Sequence, residues 1–78
     1  MKKLLLYSKP NCHLCEVMKS ELNQIRQNYD FELEVINIEN DEELFRKYKD
    51  RIPVLKINGV IIAKFRIDKE LIKKKLEE

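Results

Sequence analysis

The chain carries two cysteines, Cys12 and Cys15, in the run Cys12-His13-Leu14-Cys15. Sulfur at this spacing suits thiol–disulfide exchange, metal ligation or a chance pairing, and the surrounding residues narrow the choice. A closed zinc site takes about four ligands. This chain offers Cys12, Cys15 and its one histidine, His13, which helical geometry turns away from the cysteines. An iron–sulfur cluster stays open as the alternative, a carrier function in which two copies pool their cysteines across a dimer. Haem attachment needs a histidine directly after the second cysteine, and Glu16 stands there. For redox exchange the two sulfurs need only be close, and one helical turn between them brings that about.

Position decides how reactive such a pair is. Lys2 to Tyr7 is a short apolar run closed by Ser8-Lys9-Pro10-Asn11, the pattern of a buried strand ending in a turn. Beyond it Leu14, Val17, Met18, Leu22 and Ile25 recur at helical spacing, with Asn11 as the expected N-cap. Glu21 falls within this apolar stripe, and the pattern does not explain it. Cys12 is thereby expected at the mouth of a helix, facing unsatisfied backbone N–H groups and the positive end of the helix dipole. Cys15 lies one turn inward. The order assigns the roles: Cys12 is the nucleophile and Cys15 the resolving thiol, with the Lys9 charge and the His13 imidazole as tuning groups for the Cys12 thiolate.

The remaining elements follow from the same kind of reading. Phe31 to Ile38 mixes alternation with β-branched residues and reads as a second strand, at a sheet edge. A helix fills the stretch between the two strands, so they should be parallel, joined by a right-handed crossover. Asn40 or Asp41 is placed to cap a short helix with Leu44, Phe45 and Tyr48 inward. Val54 to Ile57 and Val60 to Phe65 flank Asn58-Gly59, a two-residue hairpin signal, and must be antiparallel. Asp68 caps a last helix packing through Leu71, Ile72 and Leu76, with Lys73, Lys74 and Lys75 near its C-terminal end, where the dipole favours cations. Met18, Phe31, Phe45 and Phe65 are read as packing residues. The order β-α-β-α-β-β-α is that of an α/β fold on a four-stranded mixed sheet.

Composition sets the outer bounds. At 78 residues the chain is expected to form a single domain, 1–78, with one modest core. Apolar residues make up 44% and charged residues 38%, which suits a compact domain rather than a disordered one. Sixteen Lys and Arg against fourteen Asp and Glu leave +2, too small a surplus to imply nucleic-acid binding. Leu4 to Leu6 follows Lys2-Lys3 as in an export signal, but the apolar run stops at Tyr7, short of the roughly 7 to 15 residues such a signal requires. No stretch approaches membrane-spanning length. The expectation is a cytoplasmic monomer with no membrane and no nucleic-acid partner, in a reducing compartment where paired cysteines are catalytic or metal-binding rather than a permanent staple.

Tyr7-Ser8-Lys9-Pro10-Asn11-Cys12-His13-Leu14-Cys15, followed by Ile52-Pro53-Val54 and the Asn58-Gly59 hairpin, resembles the glutaredoxin-like branch of the thioredoxin superfamily over essentially the whole chain. The resemblance implies a thioredoxin/glutaredoxin-like fold with helices on both faces of the sheet, the first strand central and the hairpin on one side. It implies a cis peptide before Pro53, beside the cysteines, with the Ile52 backbone left to pair with an extended substrate. Lys9 matches the lysine that members carry three residues before the nucleophile. Substrate contacts are implied at Leu14, Ile52, Pro53 and Asp68. The implied activity is dithiol reduction of protein or small-molecule disulfides through a mixed disulfide, without a bound cofactor. Glutathione or a thioredoxin-reductase-type flavoenzyme would be the electron donor. Departures are also plain. His13-Leu14 replaces the Pro-Tyr common in glutaredoxins, Leu6 replaces the buried aspartate of thioredoxins, and Phe65-Arg66-Ile67-Asp68 lacks the Gly-Gly pair that glutaredoxins use for glutathione. Of that last segment only Asp68 matches.

Overall fold

The computed structural model describes residues 2–78. Strand β1 (Lys2–Ser8) leads through the Lys9–Asn11 turn into helix α1 (His13–Ile25), and β2 (Phe31–Asn37) follows. A 3₁₀ turn (Ile38–Asn40) runs into helix α2 (Glu42–Tyr48), then come β3 (Val54–Ile57), β4 (Val60–Lys64) and helix α3 (Lys69–Glu77). The four strands form one sheet in the order β2-β1-β3-β4. β1 pairs with β2 in parallel, from Lys2 opposite Phe31 to Ser8 opposite Asn37. β3 is antiparallel to β1, with Tyr7 opposite Val54, and β4 is antiparallel to β3. The first strand is therefore internal with the hairpin on one side, as the resemblance implies, and β2 lies at an edge, as its residues suggest.

Alternation along the strands divides the interior in two. Leu4 and Leu6 of β1 and Leu55 and Ile57 of β3 point to one face, where they meet Met18, Leu22 and Ile25 of α1, Phe31 of β2 and Ile72 of α3. Tyr7 and Val54 point to the other and join Ile38, Tyr48 of α2, Ile52 and Cys15 in a smaller cluster. One residue of register separates the two sets, because successive strand side chains face opposite ways. The Asn58-Gly59 turn has φ of 51° and 79°, the left-handed pair that matches the twist of a tight hairpin. Asp68 caps α3, its carboxylate accepting from the Glu70 and Leu71 N–H groups at 3.1 and 3.3 Å. Asp41 caps α2 in the same way, accepting from Glu43 and Leu44.

Several expectations change. Asn11 does not cap α1: it occupies the left-handed region at φ 61°, a conformation asparagine tolerates, and the cap passes to Cys12. Asp41, not Asn40, caps α2, because Asn40 ends the 3₁₀ turn that Asn37 caps. The second strand stops at Asn37, and Ile38 turns inward as the first residue of that 3₁₀ turn. The inner faces of the helices are narrower than periodicity suggests. Tyr48 is buried while Phe45 is 37% exposed, and Ile72 is buried while Leu71 is equally exposed. In α1 the buried stripe is Cys15, Met18, Leu22 and Ile25, with Leu14 and Val17 outside it. The fourth strand ends at Lys64, and Phe65, read as a packing residue, lies 45% exposed.

Candidate active site

Cys12 and Cys15 are joined as a disulfide across the first turn of α1, with their Cα atoms 5.2 Å apart. The turn that delivers Cys12 has one left-handed residue, Asn11, which ends the advance of β1 and swings the chain into the helix. Cys12 is itself the N-cap, so its backbone is extended, and its carbonyl accepts the first helical hydrogen bond from Glu16 N–H at 3.1 Å. Its Sγ accepts from Cys15 N–H at 3.2 Å. A side chain acceptor here satisfies one of the N–H groups a helix start leaves without partners. Cys12 is half-buried and Cys15 fully buried, an asymmetry that leaves one sulfur open to attack.

The other residues singled out in the sequence fall at varied distances from this pair. His13 is the first residue of α1 and is exposed. Lys9 is half-buried in a recess lined also by Pro10, Glu16, Lys19 and Val35. Leu14 is 41% exposed within the motif. The Ile52–Pro53 peptide is cis, and both residues are buried. Ile52 belongs to the cluster that holds Cys15 and against which Cys12 packs. The Pro53 carbonyl accepts from Phe65 N–H at 2.9 Å, and among the described residues the Ile52 backbone makes no loop or turn hydrogen bond. Asp68 is exposed and its carboxylate is engaged as the cap of α3. Among the described residues no group of three or more His, Cys, Asp and Glu side chains is placed to hold a metal ion.

Periodicity missed an aromatic pair beneath the cysteines. The rings of Tyr7 and Tyr48 stack with centroids 4.8 Å apart and planes 17° from parallel. The Lys56 ammonium lies 5.2 Å from the Tyr7 centroid and 5.6 Å from that of Tyr48, and Lys47 approaches Tyr48 from its own helix at 5.4 Å. Burial pushes the Tyr48 phenol up, but the ammonium groups of Lys56 and Lys47 outweigh it and hold the phenol below its ordinary value. Lys56 is raised in return, chiefly by its interaction with the Tyr48 phenol, against the opposing effect of burial. One signal for this cluster was present in the sequence: Lys56 interrupts the otherwise apolar third strand, on the same face as Val54. Stacked aromatics add about 0.5–1.5 kcal/mol to what their burial contributes, so the pair braces the floor on which Cys15 rests.

This arrangement resembles known proteins at two levels. A family model described as a glutaredoxin-like domain (DUF836) matches residues 3–77. The solution structure of protein Ne2328 from Nitrosomonas europaea is 39% identical, with a TM-score of 0.85 over 96% of this chain and 91% of that one. Protein XcR50 from X. campestris is 27% identical, with a TM-score of 0.70 over 95% of each chain. Thioredoxin 1 from Thermosipho africanus TCF52B, at 21% identity and a TM-score of 0.65 over 96% of this chain and 94% of its own, shares the fold. No curated protein sequence matches this chain. Among the described residues no helix is long and apolar enough to cross a membrane.

Proposed function

Because the chain belongs to the glutaredoxin-like domain family, we propose that it is a dithiol oxidoreductase that reduces disulfides through a mixed-disulfide intermediate. One observation carries this reading: a half-buried sulfur caps a helix and accepts a backbone N–H, while its partner lies buried one turn inward. In the reduced protein the Cys12 thiolate attacks one sulfur of a substrate disulfide. The substrate S–S bond breaks, one substrate sulfur leaves as a thiolate, and the other remains bonded to Cys12. Cys15 then gives its proton to solvent and attacks Cys12 Sγ, releasing the second substrate thiolate. The substrate gains two electrons and the protein loses two, ending as the Cys12–Cys15 disulfide. A thiol donor restores it, either two molecules of glutathione, which leave joined as glutathione disulfide, or the dithiol of a thioredoxin-reductase-type flavoenzyme, which becomes its disulfide.

Each part of the site has a task in this scheme. The Cys15 N–H and the start of α1 favour negative charge on Cys12 Sγ, the atom that carries it as the attacking nucleophile. Burial shields Cys15 from the substrate, so its target is Cys12 Sγ one turn away once the mixed disulfide forms. Ile52, whose backbone has no loop or turn partner among the described residues, supports pairing with an extended substrate strand, with Pro53 next to it in the chain and the exposed Leu14 as a further contact. The test is reduction of hydroxyethyl disulfide and of insulin. Cys12→Ser is expected to abolish turnover, and Cys15→Ser to stall at a mixed disulfide visible by mass spectrometry. Full activity in Cys12→Ser overturns the assignment.

A further inference from the structure

A groove of about 420 Å³ begins at Leu14 of the cysteine motif and is lined also by Val17, Glu21, Phe65, Arg66 and Ile67. Its apolar floor consists of side chains that the fold leaves outside both interior clusters: Leu14 is 41%, Val17 39% and Phe65 45% exposed. Leu14 lies within the cysteine motif, and Phe65 is tied to the Pro53 carbonyl, so the groove runs from the reactive turn of α1 toward the strand that follows the cis-proline. Glu21, the acid that interrupts the apolar stripe of α1, finds its place here at the wall, with Arg66 contributing the opposite charge.

Phe65 is the residue whose presence most needs explaining. Its φ is 65°, in the left-handed region where glycine and asparagine are at home and a bulky aromatic is an outlier. The hydrogen bond to Pro53 and the bridge between Lys64 and Arg66 on either side hold it there. The chain thus keeps a large ring in a disfavoured backbone conformation and half in water, where it completes no core. Such an outlier points to a task at the surface.

We propose that this groove receives an apolar side chain of an extended polypeptide substrate, one or two residues from the cysteine under attack, and thereby selects polypeptide disulfides over glutathione disulfide. The inference rests on the oxidoreductase reading above and adds the substrate class. Charge decides the occupant. The groove holds one carboxylate and one guanidinium, and among the described residues the two form no ion pair. It therefore offers no net positive field to a small peptide bearing several carboxylates. A neutral backbone with an apolar side chain fits both the floor and the balanced walls. The reach is appropriate too, since an extended chain advances about 3.3 Å per residue and Leu14 adjoins Cys15 in the chain.

The experiment compares initial rates of the reduced protein with four disulfides: a dimer of an octapeptide with Leu on both sides of its Cys, the same dimer with Ser at those places, glutathione disulfide and hydroxyethyl disulfide. An apolar group in a fitted pocket is worth roughly 10- to 200-fold. The Leu peptide is expected to react at least about tenfold faster than the Ser peptide and than glutathione disulfide, an advantage of about 1.4 kcal/mol. Phe65→Gly and Phe65→Asn both accept the left-handed backbone, so the fold is retained, and each is expected to bring the Leu-to-Ser ratio below about threefold. Equal rates for the two peptides, glutathione disulfide as the fastest substrate, or a ratio that survives in both variants overturns the groove assignment. A concentration-dependent dimer that Phe65→Asn abolishes also overturns it, by making a second copy the occupant. In each of these cases hydroxyethyl disulfide is still reduced, whereas failure to reduce any of the four removes the oxidoreductase reading and the groove with it.

Discussion

The hydrogen bond from Cys15 N–H to Cys12 Sγ makes the ionisation of Cys12 the sharpest quantity to measure. Replacing Cys15 by Ser leaves Cys12 as the one thiol and keeps the donor, because the donor is backbone. At the N-cap of α1 the helix end favours an anion by about 0.3–1 kcal/mol. A hydrogen bond to a charged acceptor adds about 1.5–3 kcal/mol. Together these contribute roughly 2 to 4 kcal/mol, which favours the thiolate about 30- to 900-fold over that of an unfolded cysteine. The sign is fixed by the donors: they stabilise only the charged form, so the folded protein ionises at lower pH than the urea-unfolded chain. Thiolate absorbance near the far ultraviolet and the alkylation rate by iodoacetamide, both followed against pH in Cys15→Ser, give the two midpoints. Coincident midpoints for folded and unfolded protein would refute the argument, since neither the helix end nor the backbone donor would then be acting on the sulfur.

Two further outcomes test the floor beneath the cysteines. Tyr48→Ala removes a buried ring and is expected to cost about 3–5 kcal/mol, a large part of the roughly 4–12 kcal/mol available to a chain of this length, whereas Tyr48→Phe keeps the stack and should cost under about 1.5 kcal/mol; urea unfolding measures both. Lys56→Met leaves the upward push of burial on the Tyr48 phenol opposed only by Lys47, so its titration, followed by carbon-13 NMR of the ring, should move to higher pH. The linkage follows in sign. A lowered phenol contributes stability above its unfolded value and loses it as pH falls through the folded one, while a raised ammonium contributes below its unfolded value and loses it as pH rises through the folded one. The pair therefore adds stability in the alkaline interval between the two folded midpoints, and Lys56→Met should lose that gain relative to pH 7.

Much of this architecture was legible in the residues because it is written in local rules. Asn58-Gly59 specifies a tight turn, Asp68 and Asp41 carry the acceptors a helix start requires, and the Cys12–Cys15 spacing sits where a strand gives way to a helix. The rest depends on how wide a surface each element meets. Val17 and Leu14 share a helical face with Met18 and Leu22, but they turn toward the Phe65–Ile67 segment rather than the sheet, and no periodicity reports where a neighbouring element ends. The same holds for Phe45 and Leu71, apolar residues at the margin of their helices. Phe65 was misplaced because its backbone conformation is left-handed, which nothing in a Lys-Phe-Arg run announces. The Tyr7–Tyr48–Lys56 cluster joins three separate elements and had only the interruption of the third strand to signal it.

The antiparallel register that sets Tyr7 against Val54 and Leu4 against Ile57 also carries the Asn58-Gly59 tip to the pole of the sheet remote from the sulfurs. Both tip residues are exposed, and a methyl group built on Gly59 would touch nothing within 4 Å. A fluorophore, a purification handle or an anchor to a solid support fixed at Asn58 would leave the opposite pole facing solution. Immobilised in that orientation, the molecule becomes a probe whose captured mixed disulfides can be washed, eluted and counted.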